Sequence, residues 1–436
     1  MTRTQTRQPG WRRAQNPTRA HMLSTAQTVT AWQTRVIGGC VCIGGLLIFV
    51  ALLGFAQGQS SPQAIIPTVR EAAAALAAGD SNQAEQKLRA ILQSSPYDVH
   101  ALNLLGIIRA QQKREAEAEA LFRQAIAIQP NYAGAQAGLG LLYVQMGKDQ
   151  LAIPPLQESL RLDPGRKDAQ AALIGIWRSQ AHSAAQHEDL EKSLALLIQA
   201  RKVAPDDPDV QYELGMVALR MDLFPDAMWA FDQTLKLRPD DSRALYGLGR
   251  ANMALAKFDE AEQTFERYVQ LRPADASGHY AVGVSLQALQ RTAGARTEFE
   301  RSIALQPQQT ESYFQLGLME LDAGNLVAAE EEFGHVLTRA PQHAGALTGM
   351  GRVRFQDKKY SESATLLEKA VVSDSRLREA HYYLGLTDSR LGRKEESEKE
   401  LAIANRIEHE EVEKHQNILK IVDADQAQLP ESKPSQ

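Results

Sequence analysis

The stretch FERSIALQP, residues 299–307, decides how the rest of the chain is read. Thirty-four residues earlier stands FERYVQLRP (265–273), and thirty-four before that FDQTLKLRP (231–239). An aromatic, a polar stretch, an apolar pair and a proline return at one interval. A catalytic motif has no reason to recur this way, whereas a structural unit that stacks on copies of itself does.

The same beat runs through most of the chain. An apolar residue followed by glycine occurs at Leu105-Gly106, Leu139-Gly140, Ile174-Gly175, Leu214-Gly215, Leu248-Gly249, Val282-Gly283, Leu316-Gly317, Met350-Gly351 and Leu384-Gly385. The intervals between these glycines are 34, 35 and 40, then 34 throughout. Prolines keep the same step, from Pro96 and Pro130 to Pro307 and Pro341. Twelve residues after most of the glycines comes a small residue (Ala118, Ala227, Ala295, Ser363), and four later a large one (Phe122, Phe231, Phe299, Leu367). Each unit reads as two antiparallel helices, A and B. Glycine in A and the small residue in B let the backbones approach, the large residue fills the space between units, and proline ends helix B. One such pair cannot bury its own apolar face, and stacking does so.

This pattern resembles the tetratricopeptide repeat, whose 34-residue unit carries Leu-Gly, Ala, Phe and Pro in this order. The resemblance covers residues 65–411 and implies an all-α fold, an α-solenoid of antiparallel helix pairs wound into a right-handed superhelix. Nine units are expected over 99–411, preceded by a degenerate one at 65–98 that keeps Gly79, Ala84, Leu88 and Pro96. The third unit is six residues too long, around SQAHSAAQHEDLEK. A capping helix is expected at 412–422 and a disordered tail at 423–436. The packing glycines are Gly106, Gly140, Gly215, Gly249, Gly283, Gly317, Gly351 and Gly385.

The chain's 436 residues carry a net charge of −5, but the first 57 hold six Arg and no acid. The remainder has 42 basic and 53 acidic residues, a balance that argues against nucleic acid as partner. The two cysteines, Cys40 and Cys42, both lie in the apolar segment, so the rest of the chain has no cysteine for a disulfide or metal site. Residues 1–35 form a basic segment. Residues 36–55, VIGGCVCIGGLLIFVALLGF, are uncharged and long enough, at about 1.5 Å per residue, to cross a hydrocarbon layer of about 30 Å. Arg35 precedes this segment and the first acid, Glu71, follows it, so the chain beyond residue 56 is expected to be exported. Two readings of 36–56 stand side by side. One is a transmembrane anchor that holds the chain to the membrane, and the other is a signal peptide cut after Gly54-Phe55-Ala56.

No catalytic pattern accompanies the repeat. The glycines follow the 34-residue beat and form no phosphate loop, and neither a nucleophile elbow nor an HExxH is present. His182 with His187 and His409 with His415 are spaced for a solvated face, not for metal ligation. The chain therefore reads as non-enzymatic, with no cofactor.

The resemblance implies a concave surface lined by helix A. Three positions before the glycine stand Asn103, Ala137, Ala172, Tyr212, Tyr246, Tyr280, Phe314, Thr348 and Tyr382. Met216, Arg220, Arg243 and Arg250 occupy neighbouring columns. Tyr supplies large area at little entropy cost, and Arg can pair with carboxylates. Binding of a carboxyl-terminal peptide, as some family members achieve with Lys and Asn, finds only Asn103 here, with Ile107 four residues on. The expected function is a scaffold that binds a protein or peptide segment in this groove. The alternative is an accessory subunit of a cell-envelope assembly, docking through its outer surface and helix ends.

Overall fold

The computed structural model describes residues 67–426, and among the described residues the chain is all-α, an α-solenoid of twenty helices with no strand. The segments 1–35 and 36–56 lie outside the described residues, as does 427–436. No helix among the described residues is long and apolar enough to cross a membrane.

The chain divides at Pro205/Asp206 into two compact units. In the first, helices A are α1 (Pro67–Ala77), α3 (Val99–Gln111), α5 (Ala133–Gln145) and α7 (Lys167–Gln186). They alternate with helices B α2 (Ser81–Ser94), α4 (Glu115–Ile128), α6 (Asp149–Leu162) and α8 (Leu190–Val203). In the second unit, helices A are α9 (Pro208–Arg220), α11 (Ser242–Ala254), α13 (Ala276–Ala288), α15 (Glu311–Asp322), α17 (Ala344–Gln356) and α19 (Arg378–Leu391). Their partners are α10 (Phe224–Leu237), α12 (Phe258–Leu271), α14 (Thr292–Leu305), α16 (Leu326–Arg339), α18 (Tyr360–Ser373) and α20 (Lys394–Gln426). Within each unit every helix packs on its chain neighbours, and helices A also touch one another: α1–α3, α3–α5 and α5–α7, then α9–α11, α15–α17 and α17–α19. Helices A of successive pairs therefore meet directly at these six places.

The packing glycines do their work differently from the expectation. A Cβ on Gly283 would lie 2.6 Å from Phe299 Cε1, and one on Gly215 2.7 Å from Phe231 Cε1. The glycine thus makes room for the ring of helix B, not primarily for its backbone. In the units with leucine a backbone nitrogen also comes close, 3.2 Å from a Cβ on Gly140 or Gly385. The small residue marks the point where the backbones meet: Ser363 Oγ donates to the Gly351 carbonyl and Ser397 Oγ to that of Gly385, both at 2.8 Å. Phe122, Phe231 and Phe333 are held from the far side by a second glycine in the next helix A, at Gly138, Gly247 and Gly349. All five of these phenylalanines, with Phe265 and Phe299, are fully buried, each contributing about 1.5–3 kcal/mol.

The long third unit departs from the expected register. The glycine of the Ile174-Gly175 pair is exposed and a Cβ on it would meet nothing within 4 Å. The residue that stands sixteen before Leu197, as Gly140 stands before Leu156, is Ala181, which is 1% exposed. The extra residues are therefore helical turns within α7, which has 20 residues against 13 in α5. At the other end, α20 runs unbroken to Gln426, where the sequence suggested a separate cap at 412–422 and disorder from 423. No glycine or proline stands between Lys394 and Pro430 to stop it.

Two devices hold the turns. Asp98, Asp207, Asp241 and Asp275, each two residues after a proline, cap the next helix A through their side chains. Each A–B hairpin then turns through one residue with positive φ. Gly79, Gly147, Gly324 and Gly392 fill four of these places, and Lys113, Glu188, Asp222, Ala256, Gln290 and Lys358 the other six. A residue with a Cβ there costs about 1–2 kcal/mol, partly offset by the greater freedom of glycine in the unfolded chain. Ala256→Gly should raise stability by about 0.5 kcal/mol in a denaturant titration; a loss of stability would show that the turn is held by something other than backbone preference.

A polar column ties successive pairs together. Residues 24 apart link helix B to the next helix A: Glu85 with Arg109, Glu119 with Tyr143, Arg296 with Glu320 and Glu330 with Arg354. The sign of the charge is reversed in the Arg296–Glu320 pair.

Candidate interaction groove

In the first unit the column three before the glycine is small or closed. Asn103 is fully buried with its Nδ2 3.5 Å from the Tyr132 hydroxyl, and Ala137 and Ala172 are buried. In the second unit the same column carries four half-buried rings, Tyr212, Tyr246, Tyr280 and Phe314, on α9, α11, α13 and α15. Thr348 then closes the column at 1% exposure, and Tyr382 reopens it at 42%.

Each of the four rings leans on the buried phenylalanine of its own helix B. The centroid separations are 5.9 Å for Tyr212–Phe231, 5.6 Å for Tyr246–Phe265, 5.9 Å for Tyr280–Phe299 and 6.1 Å for Phe314–Phe333. Tyr246 also lies 5.2 Å from Tyr268. One edge of every ring is thus core, and each ring as a whole is half-buried.

Neighbouring rungs interact. The Arg243 guanidinium covers the Tyr212 ring at 4.6 Å. Arg250 is half-buried, and its charge acts on both Tyr212 and Tyr246; burial draws its pKa down from the usual arginine value. Burial pushes the hydroxyl of Tyr280 up to about 12, with the Gln315 side chain of the next unit acting in the opposite direction. Tyr212 and Tyr246 are raised by burial as well, so these hydroxyls stay uncharged. The Phe314 ring lies 5.0 Å from His343.

The arginines are placed differently from the carboxylate receptors expected of them. Arg243 pairs with Asp241 at 2.8 Å and Asp209 at 3.3 Å, so its charge is answered within the chain. Arg352 likewise pairs with Glu379 at 2.7 Å and Asp322 at 3.5 Å. Arg220 is exposed at the end of α9, and Met216 packs half-buried in the α9–α12 cluster. Val284 and Leu318, one position after their glycines, complete the column of Met216 and Arg250 and are half-buried. The sequence reading passed over them because it sought only arginine and methionine there.

Other titratable groups serve the fold. His279 is held between Glu298 (2.7 Å) and the Pro273 carbonyl (3.1 Å), and His381 between Glu400 (2.5 Å) and the Ser375 carbonyl (3.1 Å). His182 bonds to Gln186, and His187 to the Ser183 carbonyl. Among the described residues no cluster of three or more His, Cys, Asp or Glu could hold a metal ion.

The family comparison agrees with this architecture. The tetratricopeptide repeat model matches residues 69–133, 178–230, 218–276 and 280–344, more than half of the chain, and the chain belongs to that family. Proteins of this family are generally protein-interaction scaffolds. The human protein O-mannosyl-transferase TMTC3 is 33% identical over 82 residues, 19% of this chain and 9% of that protein. Anaphase-promoting complex subunit 6 of Arabidopsis thaliana is 26% identical over 168 residues, 38% of this chain and 30% of that protein. The chain thus spans less than a third of the length of either relative. Among solved structures, MamA (residues 41 to the end) from Desulfovibrio magneticus RS-1 is 22% identical, with a TM-score of 0.38, over 39% of this chain and 97% of that one.

Proposed function

We propose that this chain is a non-enzymatic scaffold whose second unit receives a segment of a partner protein along Tyr212, Tyr246, Tyr280 and Phe314. The observation that carries the reading is the unbroken run of four half-buried rings on successive helices A, each anchored on a fully buried phenylalanine. Rigid aromatics with one face supported by the core are the side chains on which interface energy concentrates.

Because the rings are half core, truncating them moves stability as well as binding. Tyr246→Ala with Tyr280→Ala should lower the melting temperature and weaken partner binding about tenfold or more. Ala288→Arg separates the two effects. Ala288 is exposed, eight residues after Tyr280 and on the same helical face, so a bulky cation there should block binding and leave the melt unchanged. Full partner affinity in both variants would refute the groove reading.

We further propose that residues 57–436 lie across a membrane from the basic segment 1–35, on the strength of the arginines before residue 36. Protease added to spheroplasts should then digest the repeats. Protection until the membrane is lysed would overturn this topology, and an N-terminus at Gln57 would distinguish cleavage from anchoring.

A further inference from the structure

We infer that His279 with Glu298 and His381 with Glu400 form two proton-loaded clamps, each holding in the folded chain one proton more than the same two residues hold apart at neutral pH. The clamps fasten the hairpins α13–α14 and α19–α20 in mild acid and release them as pH rises. This stands apart from the groove reading.

Proton counting carries it. His279 Nε2 lies 3.1 Å from the Pro273 carbonyl, and His381 Nε2 3.1 Å from that of Ser375. A carbonyl only accepts, so both Nε2 atoms carry a proton. The Nδ1 atoms face carboxyl oxygens, of Glu298 at 2.7 Å and of Glu400 at 2.5 Å. Such a contact requires a proton between nitrogen and oxygen, whether it rides on the ring or on the carboxyl; without it two lone pairs would meet. Either way each pair holds two protons. In an unfolded chain above about pH 6.5 the histidine holds one and the glutamate none. Both rings are buried, at 7% and 6% exposure, so the carboxyl and not water answers each Nδ1.

The surroundings leave this proton to the pair. Among the described residues neither ring pairs with a second charged group. On the α12 side of α13, Tyr268 donates to Asp275, the cap of α13, at 2.5 Å. On α19, Glu379 is paired with Arg352 of α17 at 2.7 Å, and Asp388 with Arg393 at 3.1 Å. Glu368 of α18 lies 3.7 Å from the same Arg393.

The hairpin α15–α16 carries the carboxyl without the histidine. Glu332 stands 34 residues after Glu298, and Tyr313 stands 34 after His279. Glu332 Oε2 is buried with no hydrogen-bond partner. Burial pushes this carboxyl above the ordinary range, aided by the charges of Glu331, Glu320 and Glu300 and opposed by that of Arg296. A carboxyl at this place in helix B thus favours a proton, and in two hairpins a histidine four before the packing glycine shares it. Elsewhere the two places are filled without charge, as by Leu102 with Leu121 and Leu347 with Leu366.

The test is a series of urea titrations of the full chain between about pH 6.5 and 8.5. The parent is compared with a variant combining His279→Leu, Glu298→Leu, His381→Leu and Glu400→Leu. Those leucines reproduce pairs that the fold already uses, so the variant should fold. The folded parent binds more protons than the unfolded chain, so its stability falls as pH rises. Relative to the variant, its folding constant should drop about tenfold per pH unit for each clamp while the folded pair keeps its extra proton. Tyr313→His should add a third clamp with Glu332 and steepen the drop. Parallel curves for the parent and the four-substitution variant, or a parent that gains on the variant as pH rises, overturn the inference. A Tyr313→His curve no steeper than that of the parent overturns it as well.

Discussion

Gly283→Leu should lower the stability of the chain by about 3 kcal/mol or more, read as a lower midpoint in a circular-dichroism melt. A Cβ at this position would already sit 2.6 Å from Phe299 Cε1 and 2.7 Å from Cδ1. Phe299 is fully buried, so its ring has nowhere to retreat. The leucine can be accommodated only by parting α13 from α14, which opens the contacts of that unit with its neighbours. Gly175→Leu is the matched control: the site is exposed with open space around it, and helix propensity there favours leucine. Equal melts for Gly283→Leu and the parent would contradict the account of the Leu-Gly beat.

Glu85→Gln should cost about 2 kcal/mol at neutral pH, the range for hydrogen bonds to a charged group. Glu85 receives two hydrogen bonds from Arg109, at 2.8 and 2.7 Å, and Arg109 is only 4% exposed. This pairing draws the Glu85 carboxyl from an ordinary 4.5 down to about 2. The folded state therefore binds the proton less readily than the unfolded state. The stabilisation is complete above about pH 4.5 and is lost as pH falls towards 2. The parent and Glu85→Gln should thus differ at neutral pH and converge in acid. Arg109 keeps Glu117 at 3.2 Å in the variant, which limits the loss. The reversed pair Arg296–Glu320 suggests the rescue: Glu85→Arg with Arg109→Glu should recover more stability than the two single changes predict together. A pH-independent difference would mean that packing, not charge, is what the substitution removes.

The helix pairs were legible because glycine, the small residue, the large residue and proline each have one physical task, and each recurs with the unit. What escaped the sequence depended on partners far away in the chain. Gly138, Gly247 and Gly349 have meaning only beside the phenylalanine of the preceding unit, and only three units carry them. Ile174-Gly175 imitates the motif, but the partner of Leu197 across its own hairpin is set by the turn at Glu188, where φ is 61°. That places Ala181, not Gly175, in the packing position. The aromatic column was visible from spacing alone. Its half-burial was not, because nothing in a 34-residue period says which edge of a ring faces the core. Arg243 looked available as a cation until Asp209, thirty-four residues before it, was found at 3.3 Å.

The central claim is that a partner lies along the ladder of the second unit. Its most direct test is a photoreactive phenylalanine analogue placed at Tyr280, and separately at exposed Thr297, in cells carrying the full chain. The account predicts a crosslink from position 280 to one partner segment, abolished by Ala288→Arg, and none to that segment from position 297. Crosslinks to the same partner from position 297 but not from 280 would place the partner on the outer face and contradict the account.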